Sequence, residues 1–400
     1  MSRGMTPESL FRSPNALAPH YSRFRVSERL LLTGHSHQAW PDVGFEGQQQ
    51  AWLDAAEYVD EKWERAFAMA DRCRAEWARL LGDDPSRIAL GASTHDLLVR
   101  WLSALPLRER PRIVTTDGEY HSARRQLDRL AEEGLEVVRV ASLPASAVAA
   151  RLVNAVDDRT AAVVVSAVFY QNAHIVSGLG DVMEACRRVG AELLVDAYHA
   201  LNAIPFTLAV ERLDGAFVTG GGYKYCQLGE GNCFLRVPEH CAMRPVVTGW
   251  FSEFTALADA SRTGVAYGMG PDRFAGATYD PTSHYRAARV FAFFREHGLT
   301  PGLLREVSHH QVGWLARAFD ALDLDPALIA RDRDVPLDAV GGFLALTTPR
   351  AGEFQAALRA RGVLTDYRGN LLRLGPAPYL TDLQLQAGMD ALGAVAATLR

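Results

Sequence analysis

The sequence predicts an α/β protein with a large domain, built on a mainly parallel mixed sheet sandwiched by helices, and a small C-terminal α/β domain. A chain of 400 residues exceeds one minimal domain. From about residue 85 to 240, short β-rich apolar runs alternate with amphipathic stretches, which is typical of a parallel sheet covered on both faces. After about residue 285 the pattern changes. We therefore expect an N-terminal segment (1–50), a large domain (51–285) and a small domain (286–400).

The elements of the large domain follow from this alternation. Apolar runs rich in β-branched residues predict strands at residues 113–116, 137–140, 161–168, 192–196, 216–219 and 233–237. Amphipathic stretches between them predict helices at residues 122–133, 145–156 and 179–189.

The small domain begins with two helical stretches, residues 285–297 and 303–322. Strand and helix patterns then alternate at residues 342–347, 353–361, 371–374 and 381–399. The intervening residues 323–340 are rich in Asp, Arg and Pro, and we expect them to form a surface excursion.

Composition narrows the functional class. The chain has 42 basic and 47 acidic side chains and no basic block, which argues against nucleic acid as a partner. It has no apolar run long enough to cross a bilayer and no apolar signal core near its start, so we expect a cytoplasmic protein. Five scattered cysteines without a C-x-x-C pair indicate neither a disulfide framework nor a thiolate zinc site.

Lysine usage is the most informative feature of the composition. The chain has 40 arginines and two lysines, Lys62 and Lys224. Lys224 lies in the run Thr219-Gly-Gly-Gly-Tyr223-Lys224-Tyr225, where glycines that follow a strand allow close approach to a ligand. An arginine cannot lose its proton to attack a carbonyl, so retention of a lysine here indicates nucleophilic chemistry rather than an ordinary surface position.

Asp196 is the second candidate. It ends the buried run 191–196, and ligands bind outside such strand ends in open α/β sheets. Alone it would equally fit a helix N-cap or a turn. Together, an aspartate and a downstream lysine are the minimum set for pyridoxal 5'-phosphate (PLP), with the lysine as Schiff base and the carboxylate on the pyridine nitrogen.

Several short motifs, in order and over roughly residues 30–380, resemble the class V branch of the fold-type I PLP-dependent transferases, and kynureninases most closely. These motifs are Asp196-Ala-Tyr-His199, Tyr223-Lys224-Tyr225, Gly229-Glu-Gly231, Gly249-Trp250-Phe251 and Leu372-Arg373-Leu-Gly-Pro376-Ala-Pro378. The resemblance implies that Lys224 bears the cofactor, Asp196 pairs with its ring nitrogen and His199 lies beside the ring. It also implies that Tyr223 and Trp250 approach the phosphate, with Tyr223 able to donate a proton.

The resemblance extends to the rest of the cofactor site. Ser93 and Thr94, before an apolar helix, are similar to a phosphate cup, although a plain capping pair would look the same. Tyr120, in Glu119-Tyr120-His121-Ser122, is similar to the residue that stacks on the cofactor, although core packing would also account for it. Thr278 resembles the threonine that reaches the phosphate of the neighbouring subunit, which implies a homodimer.

Substrate contacts are expected from two segments. Arg373 resembles the arginine that grips the substrate α-carboxylate, with a structural salt bridge as the alternative. The loop at residues 33–41 contains His35, Ser36 and His37 as candidate substrate residues, and it departs from kynureninases, which usually have asparagine in place of His35. We expect no metal, because these histidines have no third ligand at a recognisable spacing.

The reaction that the resemblance implies is hydrolysis of the Cβ–Cγ bond of kynurenine, or of a related γ-keto amino acid, to alanine and an aryl acid. An aminotransferase, lyase or epimerase of the same class remains open, because the cofactor residues would be unchanged. A cysteine desulfurase needs a nucleophilic thiol on a mobile loop far downstream of the lysine. This activity is disfavoured, because the last cysteine, Cys241, follows Lys224 closely. A binding module without catalysis and a nicotinamide enzyme are disfavoured as well, the latter because no G-x-G-x-x-G motif follows a first strand.

Overall fold

The computed structural model describes residues 5–257 and 263–399. Its strands, in chain order, are β1 (Leu30–Leu31), β2 (Ile88–Gly91), β3 (Arg112–Thr116), β4 (Glu136–Val140), β5 (Thr160–Ser166), β6 (Glu192–Asp196), β7 (Phe217–Gly221), β8 (Cys233–Arg236), β9 (Ala330–Arg331), β10 (Leu344–Thr347), β11 (Val363–Leu364), β12 (Asp366–Arg368) and β13 (Leu371–Leu374). Its α-helices are α1 (Pro7–Phe11), α2 (Val43–Tyr58), α3 (Lys62–Leu81), α4 (Thr94–Ser103), α5 (His121–Glu132), α6 (Val148–Ala155), α7 (Leu179–Val189), α8 (Leu208–Glu211), α9 (Thr282–Glu296), α10 (Pro301–Ala321), α11 (Ala351–Ala360) and α12 (Asp382–Thr398).

A seven-stranded sheet, ordered β2-β8-β7-β6-β5-β3-β4, forms the centre of the large domain. Strand β8 is antiparallel to both of its neighbours, and the other pairs are parallel. The six strands predicted for this sheet are all present, with ends shifted by at most two residues. The predicted mainly parallel mixed sheet is therefore confirmed.

Strand β5 shows why this sheet is covered on both faces. All seven of its residues are buried, and side chains on a strand alternate between the faces. Val163 and Val165 pack into one hydrophobic cluster, while Ala162 and Val164 pack into another on the opposite face. Burial on both faces explains why the run is continuously apolar.

Strand β2 was not among the predicted strands. It is only four residues long, and its partner β8 follows more than 140 positions later, where Ile88 pairs with Arg236. A short strand with a distant partner has little local signature, so periodicity alone does not reveal it.

The C-terminal part forms a four-stranded antiparallel sheet, ordered β12-β13-β10-β9, against which α11 packs. Residues 323–340, expected to be a surface excursion, contribute its edge strand β9 and bury Ile329. The N-terminal segment joins this region, because β1 pairs in parallel with β11. Among residues 5–257 and 263–399, no helix has the length and apolar character needed to cross a membrane.

Candidate active site

A cavity of about 300 Å³ opens where the carboxyl ends of β5, β6 and β7 meet the amino end of α4. Open α/β sheets bind their ligands at this edge. Of the predicted site residues, seven line the cavity: Ser93, Thr94, Tyr120, Asp196, His199, Tyr223 and Lys224. The structure therefore brings together residues that lie up to 131 positions apart in the sequence.

Glycines before Lys224 allow the chain to turn tightly into the cavity. A Cβ atom on Gly221 would lie 2.6 Å from the Sγ atom of Cys233, and one on Gly222 would lie 2.6 Å from the Cβ atom of Leu228. Real side chains do not tolerate such approaches, so these positions require glycine. As a result, Lys224, which follows β7, is buried, with 4 % of its surface exposed.

The amine of Lys224 is held among aromatic rings. Its Nζ atom lies 2.9 Å from Nε2 of His199 and 4.3 Å from the ring centre of Tyr198. The ring centres of Tyr120 and Tyr223 are 5.0 and 5.3 Å away. Burial lowers the pKa of Lys224 to about 7, and the carboxylate of Asp196 acts against this shift.

Asp196 ends β6 and is adjacent to the cavity. Its Oδ1 atom accepts a hydrogen bond from the backbone N–H of Tyr198 at 2.8 Å. Burial raises the pKa of Asp196, while that hydrogen bond and the charge of Lys224 oppose the rise. Asp196 lines the cavity, and no residue that the structure describes donates a hydrogen bond to its second carboxylate oxygen.

The amino end of α4 supplies an anion site. Ser93 is the N-cap residue, and its Oγ atom accepts a hydrogen bond from the N–H of Asp96 at 3.1 Å. Ser93, Thr94 and His95 all line the cavity. Free N–H groups and the helix dipole favour a phosphate group at this position.

These features fit PLP, which needs an amine for its aldehyde, an acid for its ring nitrogen and an anion site for its phosphate. All three lie on the wall of one cavity. A further observation supports the fit: Nδ1 of His199 is buried and has no hydrogen-bond partner among the described residues.

Tyr120 and Tyr223 stand on the cavity wall, where they could contact a planar ligand. The Tyr120 ring is perpendicular to that of Tyr170, with ring centres 5.1 Å apart. The Tyr223 ring stacks on His37 at 4.9 Å. Burial raises the pKa of Tyr223, so its hydroxyl stays protonated near neutral pH.

The loop at residues 33–41 contacts the cavity wall through His37, whose ring stacks on Tyr223. His35 is fully buried, packs against Phe343 with the ring planes tilted and the ring centres 4.5 Å apart, and lies 3.7 Å from the Asp366 carboxylate. Burial lowers the pKa of His35 to about 3, so the ring is neutral. The Ser36 hydroxyl donates to the carbonyl of Thr33 at 3.1 Å. None of these three candidates lines the cavity.

Arg373 is held by the protein itself. It is 2 % exposed, its Nη1 atom donates to the carbonyl of Tyr170 at 2.5 Å, and its Nη2 atom donates to Asp366. Asp366 and Arg373 are directly opposed across β12 and β13. Arg373 does not line the cavity, although Tyr170 does. Its Nε atom is buried and has no acceptor among the described residues.

Trp250 and Thr278 lie outside the cavity of the single chain. Trp250 is 43 % exposed and packs on Phe251 and Phe254. Thr278 is exposed on a loop before α9. Both positions leave these side chains free to contact another molecule.

The structure adds cavity residues that were not singled out from the sequence. Tyr170, Tyr198, Ser166, Glu230 and Cys233 all line the cavity. Ser166 ends a buried strand next to β6, and this position is the signal that could have identified it.

No model of a known protein family matches the chain. An uncharacterized aminotransferase of Bacillus subtilis (strain 168), YcbU, is 24 % identical over 352 residues, which cover 86 % of this chain and 89 % of that protein. The isopenicillin N epimerase of Streptomyces clavuligerus is 29 % identical over 194 residues, which cover 46 % of each chain.

Solved structures match over nearly the whole chain. A C-DES mutant with glycine covalently linked to the PLP cofactor has a TM-score of 0.80 at 16 % identity, covering 94 % of this chain and 98 % of that one. The apo cysteine desulfurase of Thermococcus onnurineus NA1 also has a TM-score of 0.80 at 16 % identity, with full coverage of both chains. The predicted architecture is confirmed at the level of the fold: the chain has the fold-type I α/β fold of these two structures, with a mostly parallel central sheet flanked by helices.

Proposed function

We propose that the protein is a PLP-dependent enzyme that acts on a small amino acid. The observation that carries the proposal is the buried amine of Lys224, in one cavity with the Asp196 carboxylate and the amino end of α4. When bound, PLP supplies an electron sink for the charge that develops as a bond to the substrate Cα atom breaks.

Other residues of the cavity wall are suited to hold the cofactor. Asp196 is suited to keep the ring nitrogen protonated, because its carboxylate lines the cavity and only one of its oxygens accepts a hydrogen bond from the described residues. Ser93, Thr94 and the first turn of α4 are suited to bind the phosphate. Tyr120 would contact the ring, and His199 would lie beside it.

Lys224 is also suited to remove the proton from the substrate Cα atom. With a pKa lowered to about 7, a substantial fraction of its amine is unprotonated near neutral pH, as a general base requires. The contact with His199 fixes the position of Nζ at the cavity wall. This proton transfer is common to all of the reactions considered below.

The more specific form of the proposal is hydrolysis of the Cβ–Cγ bond of kynurenine, or of a related γ-keto amino acid, to alanine and an aryl acid. Its support is the set of kynureninase-like motifs that contains Asp196, Lys224 and Arg373. Tyr223 lies beside Lys224 and is suited to donate a proton, because burial keeps its hydroxyl protonated.

A class V aminotransferase, lyase or epimerase is the second candidate. The names of the two relatives favour it, since one is an aminotransferase and the other an epimerase. A desulfurase reaction that needs a mobile, nucleophilic thiol has less support, because all five cysteines are buried. Burial raises the pKa of Cys233, on the cavity wall, to about 12.

Product analysis separates these reactions. The PLP-loaded protein would be incubated with kynurenine and with 3-hydroxykynurenine, and alanine release would be followed. Alanine together with an aryl acid supports hydrolysis. Amino transfer that depends on an added keto acid, or racemisation of the substrate, supports the second candidate. Failure to bind PLP at Lys224 would contradict the proposal as a whole.

A homodimer with shared sites is part of the proposal. Its support is the exposed position of Thr278 and of Trp250, which carries an apolar ring at the surface. In a dimer these side chains could reach the phosphate site of the other subunit.

A further inference from the structure

Glu119 is a buried carboxylate between β3 and α5 that does not line the cavity but is hydrogen-bonded to Ser166, which does. Glu119 is 2 % exposed. The Thr116 hydroxyl donates to its Oε1 atom at 2.6 Å, and the Ser166 hydroxyl donates to its Oε2 atom at 2.6 Å. Both carboxylate oxygens are therefore occupied by hydroxyl groups, and one of these belongs to the cavity wall.

Ser166 is also the neighbour of Asp196. The two residues end adjacent parallel strands and are register partners in the sheet. A hydroxyl group has a single proton to donate. Burial raises the pKa of Glu119 to about 7, so the carboxylate form accepts from Ser166 above that pH. In that form the Ser166 hydroxyl donates to Glu119 and has no proton for Asp196, and among the described residues the hydrogen bond that Asp196 accepts comes from the N–H of Tyr198.

Packing alone does not account for Glu119. Its contacts among the described residues are hydroxyl groups rather than cations. A buried carboxylate without a cationic partner costs stability, and an apolar side chain of similar size would avoid that cost. Glu119 also directly precedes Tyr120, so its two hydrogen bonds fix the start of the segment that carries the Tyr120 ring to the cavity.

We infer that Glu119 is a positioning residue of the cofactor site: it accepts the hydrogen bond that the Ser166 hydroxyl donates, which leaves the Asp196 carboxylate free to accept the ring nitrogen N–H of PLP, and it anchors Tyr120. This inference rests on the proposed function. It gives Ser166 a definite orientation, with its proton directed away from Asp196.

The test is a double-mutant cycle in the full-length protein. The variants are Glu119→Leu, Ser166→Ala and their combination, with Glu119→Gln as a milder change that keeps one acceptor oxygen. Glu76→Leu is the matched control, because Glu76 is also buried but interacts with Arg79 on α3, outside the cavity wall. The measurements are thermal unfolding of the apoprotein, the dissociation constant of PLP and the absorption spectrum of bound PLP.

We expect Glu119→Leu to weaken PLP binding about tenfold, the loss typical of a hydrogen bond to a charged group, and to alter the spectrum of the bound cofactor. Glu119→Gln should have a smaller effect in the same direction. In the Ser166→Ala background the same change should cost clearly less, because no hydroxyl is left to compete for Asp196 and only the loss of the Tyr120 anchor remains. Glu76→Leu should change the unfolding temperature but not PLP affinity.

Equal losses with and without the Ser166 hydroxyl would overturn the inference, and so would unchanged PLP affinity in a folded Glu119→Leu or Glu119→Gln variant. Borohydride trapping of PLP on the wild-type protein distinguishes failure of the proposed function from failure of the role of Glu119. If PLP is trapped on Lys224 but the cycle shows no coupling, only the role of Glu119 fails. If PLP is not trapped on Lys224, the proposed function fails first.

Discussion

Nζ of Lys224 lies 2.9 Å from Nε2 of His199, and both side chains are buried. Burial lowers the pKa of His199 well below its usual value, so its imidazole is neutral. A neutral imidazole that accepts from the lysine at Nε2 carries its own proton on Nδ1. This contact holds the amine at the cavity wall, in position to react with an aldehyde.

Replacement of Lys224 by arginine tests the covalent role directly. Arginine keeps the positive charge but cannot lose a proton to attack the aldehyde, so we expect no covalent link to PLP and a loss of activity of at least about 10²-fold. The chain offers a precise control, because Lys62 is its other lysine. The Lys62→Arg variant should still form the covalent link to PLP and should keep its activity.

The measurement is borohydride reduction followed by mass spectrometry of the peptides. The reduced label should appear on the peptide that contains Lys224 and not on the one that contains Lys62. A label on Lys62, or persistent labelling of the Lys224→Arg variant, would contradict the assignment.

The pKa of Lys224 predicts how PLP capture depends on pH. The protonated amine cannot attack the aldehyde, so the capture rate should rise about tenfold per pH unit below pH 7 and level off above it. Asp196 favours the ammonium form, so Asp196→Asn should move the inflection to lower pH. Stopped-flow measurement of the appearing cofactor absorbance gives this profile. An inflection near the ordinary lysine value of 10.5 would show that the amine is not buried.

Lys224 and Asp196 could be singled out as candidates from the sequence, because the chemistry restricts the residue types and because both lie at the ends of strands with a strong apolar signal. The elements around them, such as β5 and β6, have the same clear signal. Residues that become neighbours only through strand pairing could not be predicted in this way. Neither the pairing of β2 with β8 nor that of Ser166 with Asp196 leaves a local pattern, because each depends on which strands become neighbours.

Asp196→Asn should allow PLP to attach to Lys224 while reducing the rate of the reaction. An amide cannot keep the ring nitrogen cationic, so we expect a loss of about 100-fold or more in kcat. Asp54→Asn is a suitable control, because Asp54 is buried but accepts from Tyr285 and Gln50, away from the cavity wall. Steady-state kinetics with any accepted amino acid would check this. Full activity of the Asp196→Asn variant would remove this residue from the mechanism.

Arg373 is expected to bind the substrate carboxylate, and the structure pairs it with Asp366 across two strands. The sequence could not reveal this pairing, because it depends on the register of β12 against β13. In this structure Arg373 therefore forms a structural salt bridge, which was the alternative interpretation of this residue. The free Nε atom leaves Arg373 able to bind a further anion.

Asp366→Asn should destabilise the protein, because it leaves the buried guanidinium of Arg373 without its counter-charge. We expect the free energy of unfolding to fall by about 3 kcal/mol, as is typical when one partner of a buried ion pair is removed. In Asp320→Asn, which breaks the more exposed pair with Arg331, the loss should be about 1 kcal/mol or less. Urea denaturation of both variants measures the difference, and equal losses would contradict it.

Subunit complementation tests whether Thr278 serves the site of a partner subunit. Lys224→Ala should be inactive, and Thr278→Ala should bind PLP weakly if the hydroxyl reaches a phosphate. In a mixed dimer one site combines the lysine of the Thr278→Ala subunit with the intact threonine of the other subunit. About half of randomly exchanged dimers are mixed, and one of the two sites in each mixed dimer is intact. Mixing the two variants at limiting PLP should therefore restore up to about a quarter of wild-type activity. If Thr278 served its own subunit, no mixed site would combine both side chains, and mixing would restore nothing beyond the activity of Thr278→Ala itself.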